Sequence, residues 1–189
     1  MKISKLVCLG DSLTEGYGIE SRHRWSDLLK KDFPFEIINR GISGDTTAGM
    51  LARFQYDVIA HQPSHVIIMG GTNDLWQSIP DEQILSNIRT MTRHARYHNF
   101  EAIIGLPTPF FYYDPAMTAF ADAQWFDERL NVFRKKLQSF AENDDRQFID
   151  FAKNMKPEMF LEDGLHPNEE GNKVMMENVS ILLNNLITL

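Results

Sequence analysis

The stretch that decides the fold covers residues 6–16 and reads LVCLGDSLTEG. Its first four residues are apolar and typical of a strand, and Gly10 ends that run just before Asp11 and Ser12. In parallel sheets, ligands and chemistry lie just beyond the carboxyl ends of the strands. Ser12 is therefore a candidate nucleophile, although a serine after a strand is more often a turn former or a helix cap. The other loops must decide between these interpretations.

Four further apolar runs have the length of strands, and helical patterns separate all five. The runs do not alternate between apolar and polar residues, which is typical of strands covered on both faces. Strands that alternate with amphipathic helices predict an α/β fold, a three-layer α/β/α sandwich with a five-stranded parallel sheet, flavodoxin-like in outline. The later strands are predicted at residues 35–39, 65–69, 102–106 and 147–151, and helices at residues 25–31, 47–60, from 80 through 95, from 126 through 140, and 168–186.

The chain has 189 residues, the usual size of one domain, so we expect a single domain over residues 1–189. Its formal net charge of −7 argues against a nucleic-acid partner, which normally needs a basic surface. The single cysteine, Cys8, cannot form a disulfide within the chain, which favours a reducing compartment. There is no apolar run long enough for a signal peptide or a membrane span. We therefore expect a soluble, cytoplasmic protein without stable membrane insertion; its oligomeric state is left open.

Under this topology the loops after the strands meet at one edge of the sheet. These loops carry a hydroxyl nucleophile, backbone N–H donors, a side-chain amide and an Asp/His pair, which are the groups that acyl transfer through a covalent serine intermediate needs. They are Asp11 and Ser12 after the first strand, residues 41–46 (GISGDT) after the second, residues 70–74 (GGTND) after the third, and residues 163–167 (DGLHP) after the fifth.

In this order, residues 10–13, 39–44, 71–74 and 163–167 resemble the four motif blocks of the GDSL, or SGNH, hydrolases. The resemblance covers nearly the whole chain and implies the SGNH hydrolase fold and an esterase or lipase-type activity without a metal or other cofactor. It implies that Ser12 is the nucleophile, that His166 is its general base, and that Asp163 orients His166. It also implies an oxyanion hole formed by the N–H groups of Ser12 and Gly44 and the side-chain amide of Asn73.

The residue types suit these roles. A glycine at position 44 allows the backbone to approach the oxyanion without a Cβ atom in the way. Asn73 offers a neutral N–H donor. The order Ser, Asp, His also occurs in α/β-hydrolases, but their G-x-S-x-G pattern is absent because position 14 is Thr. Neighbouring polar residues are expected to form supporting hydrogen bonds; they are Asp11, Asn39, Asp45 and Asp74.

The substrate is less well defined by the sequence. Residues 107–121 form a long loop rich in aromatic residues, and loops of this length are often lids. An apolar lining would favour an acyl chain or an aryl or alkyl leaving group, and the alternative is that several of these rings only pack the loop onto the next helix. The residues predicted to bind substrate are Asp11, Tyr17, Trp76, Phe110 and Phe111.

We therefore expect a carboxylic-ester hydrolase for small or medium acyl esters. Within the family, acyl thioesters, lysophospholipids and acetylated sugars are alternative substrates that the motif blocks do not separate. Outside it, the alternatives are a dinuclear metallophosphoesterase, which needs several histidine ligands, and a binding module without turnover. No metal site is expected, because the remaining histidines form no ligand grouping; they are His23, His61, His65, His94 and His98.

Overall fold

The computed structural model describes residues 2–112 and 123–188, so most of the predicted lid segment, from residue 113 on, lies outside the described residues. The described residues form five strands, β1 Lys5–Gly10, β2 Glu36–Gly41, β3 His65–Met69, β4 Glu101–Leu106 and β5 Phe148–Asp150. They make one sheet in the order β2-β1-β3-β4-β5, and every neighbouring pair of strands is parallel. This is the flavodoxin-like order, and it confirms the predicted sheet.

Helices cover both faces of the sheet. They are α1 Ser12–Glu15, α2 Trp25–Leu29, α3 Thr47–Asp57, α4 Thr72–Trp76, α5 Asp81–Tyr97, α6 Ala123–Asn143 and α7 Glu169–Thr188. Because successive strand residues point to opposite faces, each strand contributes to two cores. In β1, Val7 and Leu9 belong to the core formed with α3, α5 and α6, whereas Leu6 and Cys8 belong to the core formed with α2 and α7. The predicted three-layer architecture is thereby confirmed.

The structure differs from the sequence-based expectation mainly in short elements. Helices α1 and α4 are four and five residues long, too short to show a hydrophobic period, and the sequence did not predict them. The helix expected over residues 47–60 ends at Asp57, and a separate 3-10 turn at Ile59–His61 follows it. By contrast, the apolar repeats of α5 and α6 predict their buried faces correctly.

In the ranges 2–112 and 123–188, no helix has the length and apolar character needed to cross a membrane. Cys8 is fully buried in the sheet, and burial raises the pKa of its thiol far above the ordinary value.

Candidate active site

Ser12, His166 and Asp163 lie in one hydrogen-bonded line at the carboxyl edge of the sheet. Ser12 is the first residue of α1, and only 8% of it is exposed. Its Oγ lies 2.9 Å from Nε2 of His166, and Nδ1 of His166 lies 2.6 Å from Oδ2 of Asp163. We assign the Nδ1 proton from this network: Nδ1 donates to the carboxylate, and Nε2 accepts from the serine hydroxyl. The structure thus brings together the three residues proposed from the sequence.

The loop that carries Asp163 and His166 is held by hydrogen bonds within itself. Oδ1 of Asp163 accepts from the backbone N–H groups of Leu165 and His166, both at 2.9 Å. The N–H of Leu161 donates to the carbonyl of His166 at 2.8 Å. Burial alone would raise the pKa of Asp163, but the hydrogen bonds from His166 and Leu165 outweigh it and hold the pKa below its ordinary value. The carboxylate therefore stays ionised at neutral pH beside the imidazole.

A second set of hydrogen bonds ties this loop to the nucleophile, and the sequence did not reveal it. The side-chain amide of Asn172 on α7 donates to the carbonyl of Pro167, and its oxygen accepts from the N–H of Trp25, both at 3.0 Å. The indole N–H of Trp25 then donates to the carbonyl of Leu13 at 3.1 Å. No signal in the sequence singles out Asn172, because asparagines recur along α7.

Asp11 caps the helix that begins with the nucleophile. Its Oδ1 accepts from the N–H of Leu13 at 2.9 Å, and only 1% of the residue is exposed. Burial raises the pKa of Asp11 to about 7, against the opposing effects of the Leu13 N–H and of the charge on His166. Oδ2 of Asp11 is buried without a hydrogen-bond partner among the described residues. This burial favours a supporting role for Asp11 over direct contact with a substrate.

Each of the three predicted oxyanion donors has an N–H that no acceptor among the described residues occupies. Within the described ranges, the backbone N–H groups of Ser12 and Gly44 donate to no protein acceptor. The amide of Asn73 donates one hydrogen to the carbonyl of Asp45 at 2.9 Å, which leaves its second hydrogen available. Gly44 has a φ of +80°, and an added Cβ would meet nothing within 4 Å. The left-handed backbone therefore favours glycine at this position, which adds a second reason to the close approach to the oxyanion argued from the sequence.

Side chains from other elements hold the oxyanion loop, which we define as residues 42–46. Asp74, at the start of α4, accepts from the N–H of Thr47 at 2.9 Å and from its hydroxyl at 2.5 Å. Burial raises the pKa of Asp74, and these two hydrogen bonds act in the opposite direction. On the other side, Glu15 of α1 accepts from the N–H of Ser43 at 2.6 Å. Glu15 and Thr47 lie outside the motif residues, so no signal in the sequence pointed to their roles.

Asn39 and Asp45 also form supporting hydrogen bonds. Nδ2 of Asn39 donates to the carbonyl of Thr14 at 2.6 Å and to the hydroxyl of Ser26 at 2.7 Å, which ties β2 to the helices beside it. Asp45 pairs with Arg53 of α3 at 2.7 Å.

The aromatic residues predicted to bind substrate separate into two groups. Tyr17 is 52% exposed, and its ring lies 4.5 Å, centroid to centroid, from the imidazole of His166. Trp76 instead stacks on Phe126 of α6 at 3.9 Å, and the buried ring of Phe110 meets Phe126 at 5.3 Å. Phe110 thus packs the start of the loop onto α6, which is the alternative that the sequence left open, and Trp76 packs α4 onto the same helix.

Phe111 belongs to neither group. Its N–H donates to the carbonyl of Gly164 at 2.8 Å, and its ring meets Phe160 at 5.1 Å. The described start of the loop, residues 107–112, is therefore attached to the Asp163–His166 loop. Across residues 2–112 and 123–188, no group of three His, Cys, Asp or Glu side chains is arranged to hold a metal ion.

Known proteins resemble this chain in sequence and in fold. The model of the GDSL-like lipase/acylhydrolase family matches residues 8–174. The chain belongs to this family. Its members hydrolyse ester bonds, so the prediction of an ester-bond hydrolase is confirmed.

Relatives of this GDSL-family hydrolase cover most of its length. An arylesterase from Vibrio mimicus is 28% identical over 184 residues, which is 93% of this chain and 86% of the relative. Thioesterase 1/protease 1/lysophospholipase L1 of Escherichia coli K12 is 27% identical, over 87% of this chain and 76% of the relative. A solved structure assigned to the lipolytic G-D-S-L family, from Desulfitobacterium hafniense, superposes with a TM-score of 0.82 at 27% identity, over 95% of this chain and 99% of that one.

Proposed function

We propose that this hydrolase cleaves small or medium carboxylic esters through an acyl-enzyme on Ser12. The observation that carries the proposal is the line of two hydrogen bonds from Ser12 Oγ to His166 Nε2, 2.9 Å, and from His166 Nδ1 to Asp163 Oδ2, 2.6 Å. A nucleophile that contacts a base, which is itself oriented by a third group, is the arrangement that serine-dependent acyl transfer requires.

In the acylation step, Oγ of Ser12 attacks the ester carbonyl carbon while Nε2 of His166 takes the hydroxyl proton. Asp163 holds the ring and stabilises the imidazolium that forms. Nε2 then gives the proton to the departing alcohol as the carbon–oxygen bond breaks. In the second half, a water molecule attacks the acyl-enzyme with His166 again as the base, and Ser12 regains its proton.

The negative charge of each tetrahedral intermediate develops on the former carbonyl oxygen. We propose that the N–H groups of Ser12 and Gly44 and the free amide hydrogen of Asn73 donate to that oxygen. Fixed donors of this kind act most strongly in the transition state, where the charge is largest.

Tyr17 is the residue best placed to contact a substrate, because its exposed ring lies beside the imidazole of His166. An aromatic surface next to the base would suit an aryl or alkyl leaving group or an acyl chain. The name of the Vibrio relative, arylesterase, is consistent with this surface. The Escherichia coli relative's name makes acyl thioesters the second candidate substrate class. Acetylated sugars stay a predicted alternative substrate class. The single domain over residues 1–189 and the cytoplasmic location also stay predictions.

The test of the proposed function is hydrolysis of p-nitrophenyl acetate by Ser12→Ala. Turnover should fall by about 10⁴-fold or more, because the nucleophile is lost. Ser86→Ala, on the exposed face of α5, is the matched control and should keep wild-type activity. Full activity in Ser12→Ala would contradict the proposal, and loss of wild-type activity after treatment with a chelator would favour a metal-dependent reaction.

The substrate class is resolved by one panel of esters. Acetyl, hexanoyl and dodecanoyl p-nitrophenyl esters, an acyl thioester and an acetylated sugar should be compared by kcat/KM. Tyr17→Ala should change the preference within this panel more than it changes kcat on the acetyl ester, since its ring lies beside the site and not in the line of proton transfer.

A further inference from the structure

We propose that Arg53 of α3 is a positioning residue that sets the spacing between two oxyanion donors, the N–H groups of Ser12 and Gly44. This inference rests on the proposed function and deepens it, because it concerns a residue outside the motif blocks.

The guanidinium of Arg53 joins both sides of the proposed oxyanion hole. Nη2 donates to the carbonyl of Gly10 at 2.9 Å, and Nε donates to Oδ2 of Asp45 at 2.7 Å. Gly10 lies two residues before Ser12, and Asp45 directly follows Gly44. A single planar and rigid group therefore fixes the chain next to each donor.

The remaining hydrogen bonds of Arg53 fix the guanidinium itself. Nη1 donates to the carbonyl of Arg40, at the end of β2, and to Oδ2 of Asp57, both at 2.9 Å. The two carboxylates, Asp45 and Asp57, compensate the charge of a side chain that is only 16% exposed. A lysine could not satisfy these acceptors, because its ammonium is a point charge without the fork of donors.

The carboxylate of Asp45 packs directly against Gly49 of α3. A Cβ atom added at Gly49 would lie 1.9 Å from Oδ1 of Asp45, so a side chain there would displace the carboxylate. The backbone carbonyl of Asp45 also accepts from the amide of Asn73. Asp45 thus connects Arg53 on one side with a proposed oxyanion donor on the other.

A backbone hydrogen bond also joins the oxyanion loop to Gly10. The N–H of Ile42 donates to the carbonyl of Gly10 at 3.1 Å, the same oxygen that accepts from Arg53. Without the guanidinium, the start of the loop would keep this bond and the Ser43–Glu15 contact, but Asp45 at its end would lose its link to the Gly10 carbonyl. The loop would then shift relative to Ser12, and displacements of about 1 Å in a preorganised site can cost about 10²-fold in rate.

The experiment compares Arg53→Met with the wild type in the full chain. Turnover on p-nitrophenyl acetate should fall by roughly 10²-fold with KM changed less than about threefold, because the donors act on the transition state and not on the bound ester. The inhibition constant of phenylboronic acid, which forms a tetrahedral adduct on an active serine, should rise by a similar factor. Wild-type kcat in Arg53→Met would overturn the proposal.

Arg146→Met is the matched control. Arg146 is also a largely buried arginine paired with two carboxylates, Asp144 and Glu101, but it lies at the opposite end of the sheet. It should lower the free energy of unfolding and leave kcat per folded molecule unchanged. An equal loss of kcat in both variants would mean that Arg53 acts only through overall stability, and would overturn the proposal.

A more conservative variant, Arg53→Lys, and a double-mutant cycle with Asn73→Ala provide a second test. Arg53→Lys keeps the charge but not the fork, and it should lower kcat in the same direction if Arg53→Met does not fold. The losses from Arg53→Lys and Asn73→Ala should combine to less than their product, since both act on the same oxyanion loop. Fully multiplicative losses would overturn the proposal, whereas full activity of Ser12→Ala would instead overturn the proposed function.

Discussion

The loop that carries Asp163 and His166 is held mainly by hydrogen bonds within itself, whereas the oxyanion loop is held by side chains that reach it from three helices. In the first, one carboxylate accepts from two N–H groups of the same loop. In the second, Glu15, Arg53, Asn73 and Asp74 come from α1, α3 and α4, and Asp74 reaches the N-terminus of α3. The comparison suggests that the base is oriented locally, and that the oxyanion donors depend on the packing of the whole sheet edge.

This difference explains how much of the site the sequence could predict. The Asp/His pair is contiguous, so a short motif contains both the residues and the turn that joins them. The supports of the oxyanion loop are spread from residue 15 to residue 74, and Arg53 lies eight residues after its partner Asp45 inside an ordinary helix. Such a pairing becomes visible only when α3 has been placed against the ends of β1 and β2.

The fold likewise contains elements that the local sequence pattern predicts and elements that depend on tertiary contacts. Strands such as β3 are unbroken apolar runs, and α6 repeats apolar residues over 21 positions, so their patterns predict them well. Helix α1 has four residues and is fixed by the Asp11 cap and by packing, which leaves no period to detect. The roles of Trp76 and Phe110 could not be resolved either, because an aromatic ring suits a substrate surface and a core equally well.

The largest expected effect comes from the locally held loop. His166→Ala should lower kcat on the order of 10⁶-fold, since the base for both half-reactions is lost. His94→Ala, on the exposed surface of α5, serves as the control and should retain wild-type kcat. A loss below tenfold in His166→Ala, measured with p-nitrophenyl acetate, would mean that another group acts as the base.

The next largest effect is expected at Asn73, a proposed oxyanion donor that contacts the oxyanion loop. Asn73→Ala should lower kcat by roughly 10²–10³-fold with a small change in KM, because one oxyanion donor is removed. Asn131→Ala on α6, whose exposed amide donates to Asp127, is the matched control. If Asn73→Ala raised KM and left kcat unchanged, Asn73 would bind the substrate and not the transition state.

A smaller effect is expected from the anchor of α3. Asp74→Asn keeps one acceptor oxygen but can no longer accept both hydrogen bonds from Thr47, so the free energy of unfolding should fall by roughly 1–3 kcal/mol. Urea unfolding measures this change, and kcat should fall with it because the oxyanion loop precedes Thr47. Asp32→Asn, at an exposed position, should alter neither quantity. Unchanged stability in Asp74→Asn would remove this anchor from the account.

The effect of Asp11 appears in the pH dependence of stability. Burial raises the pKa of Asp11 from 3.8 to about 7, so between these values the folded chain holds a proton that the unfolded chain has lost. Stability should therefore fall as the pH rises through this window, with a contribution of up to about 1.4 kcal/mol per pH unit.

Asp11→Asn can still accept from the N–H of Leu13 but does not titrate. Its free energy of unfolding, measured in urea across the same pH window, should decline less steeply than that of the wild type. Equal slopes for the two proteins would show that the Asp11 carboxyl is already ionised in the folded state at low pH.

In the proposed mechanism, Ser12 is the residue that becomes acylated. Incubation with a fluorophosphonate, followed by intact mass and peptide mapping, tests it directly. We expect one adduct per chain, located on Ser12, formed rapidly in the wild type, more slowly in Arg53→Lys, and not formed in Ser12→Ala. An adduct on another residue, or equal labelling of wild type and Ser12→Ala, would contradict it.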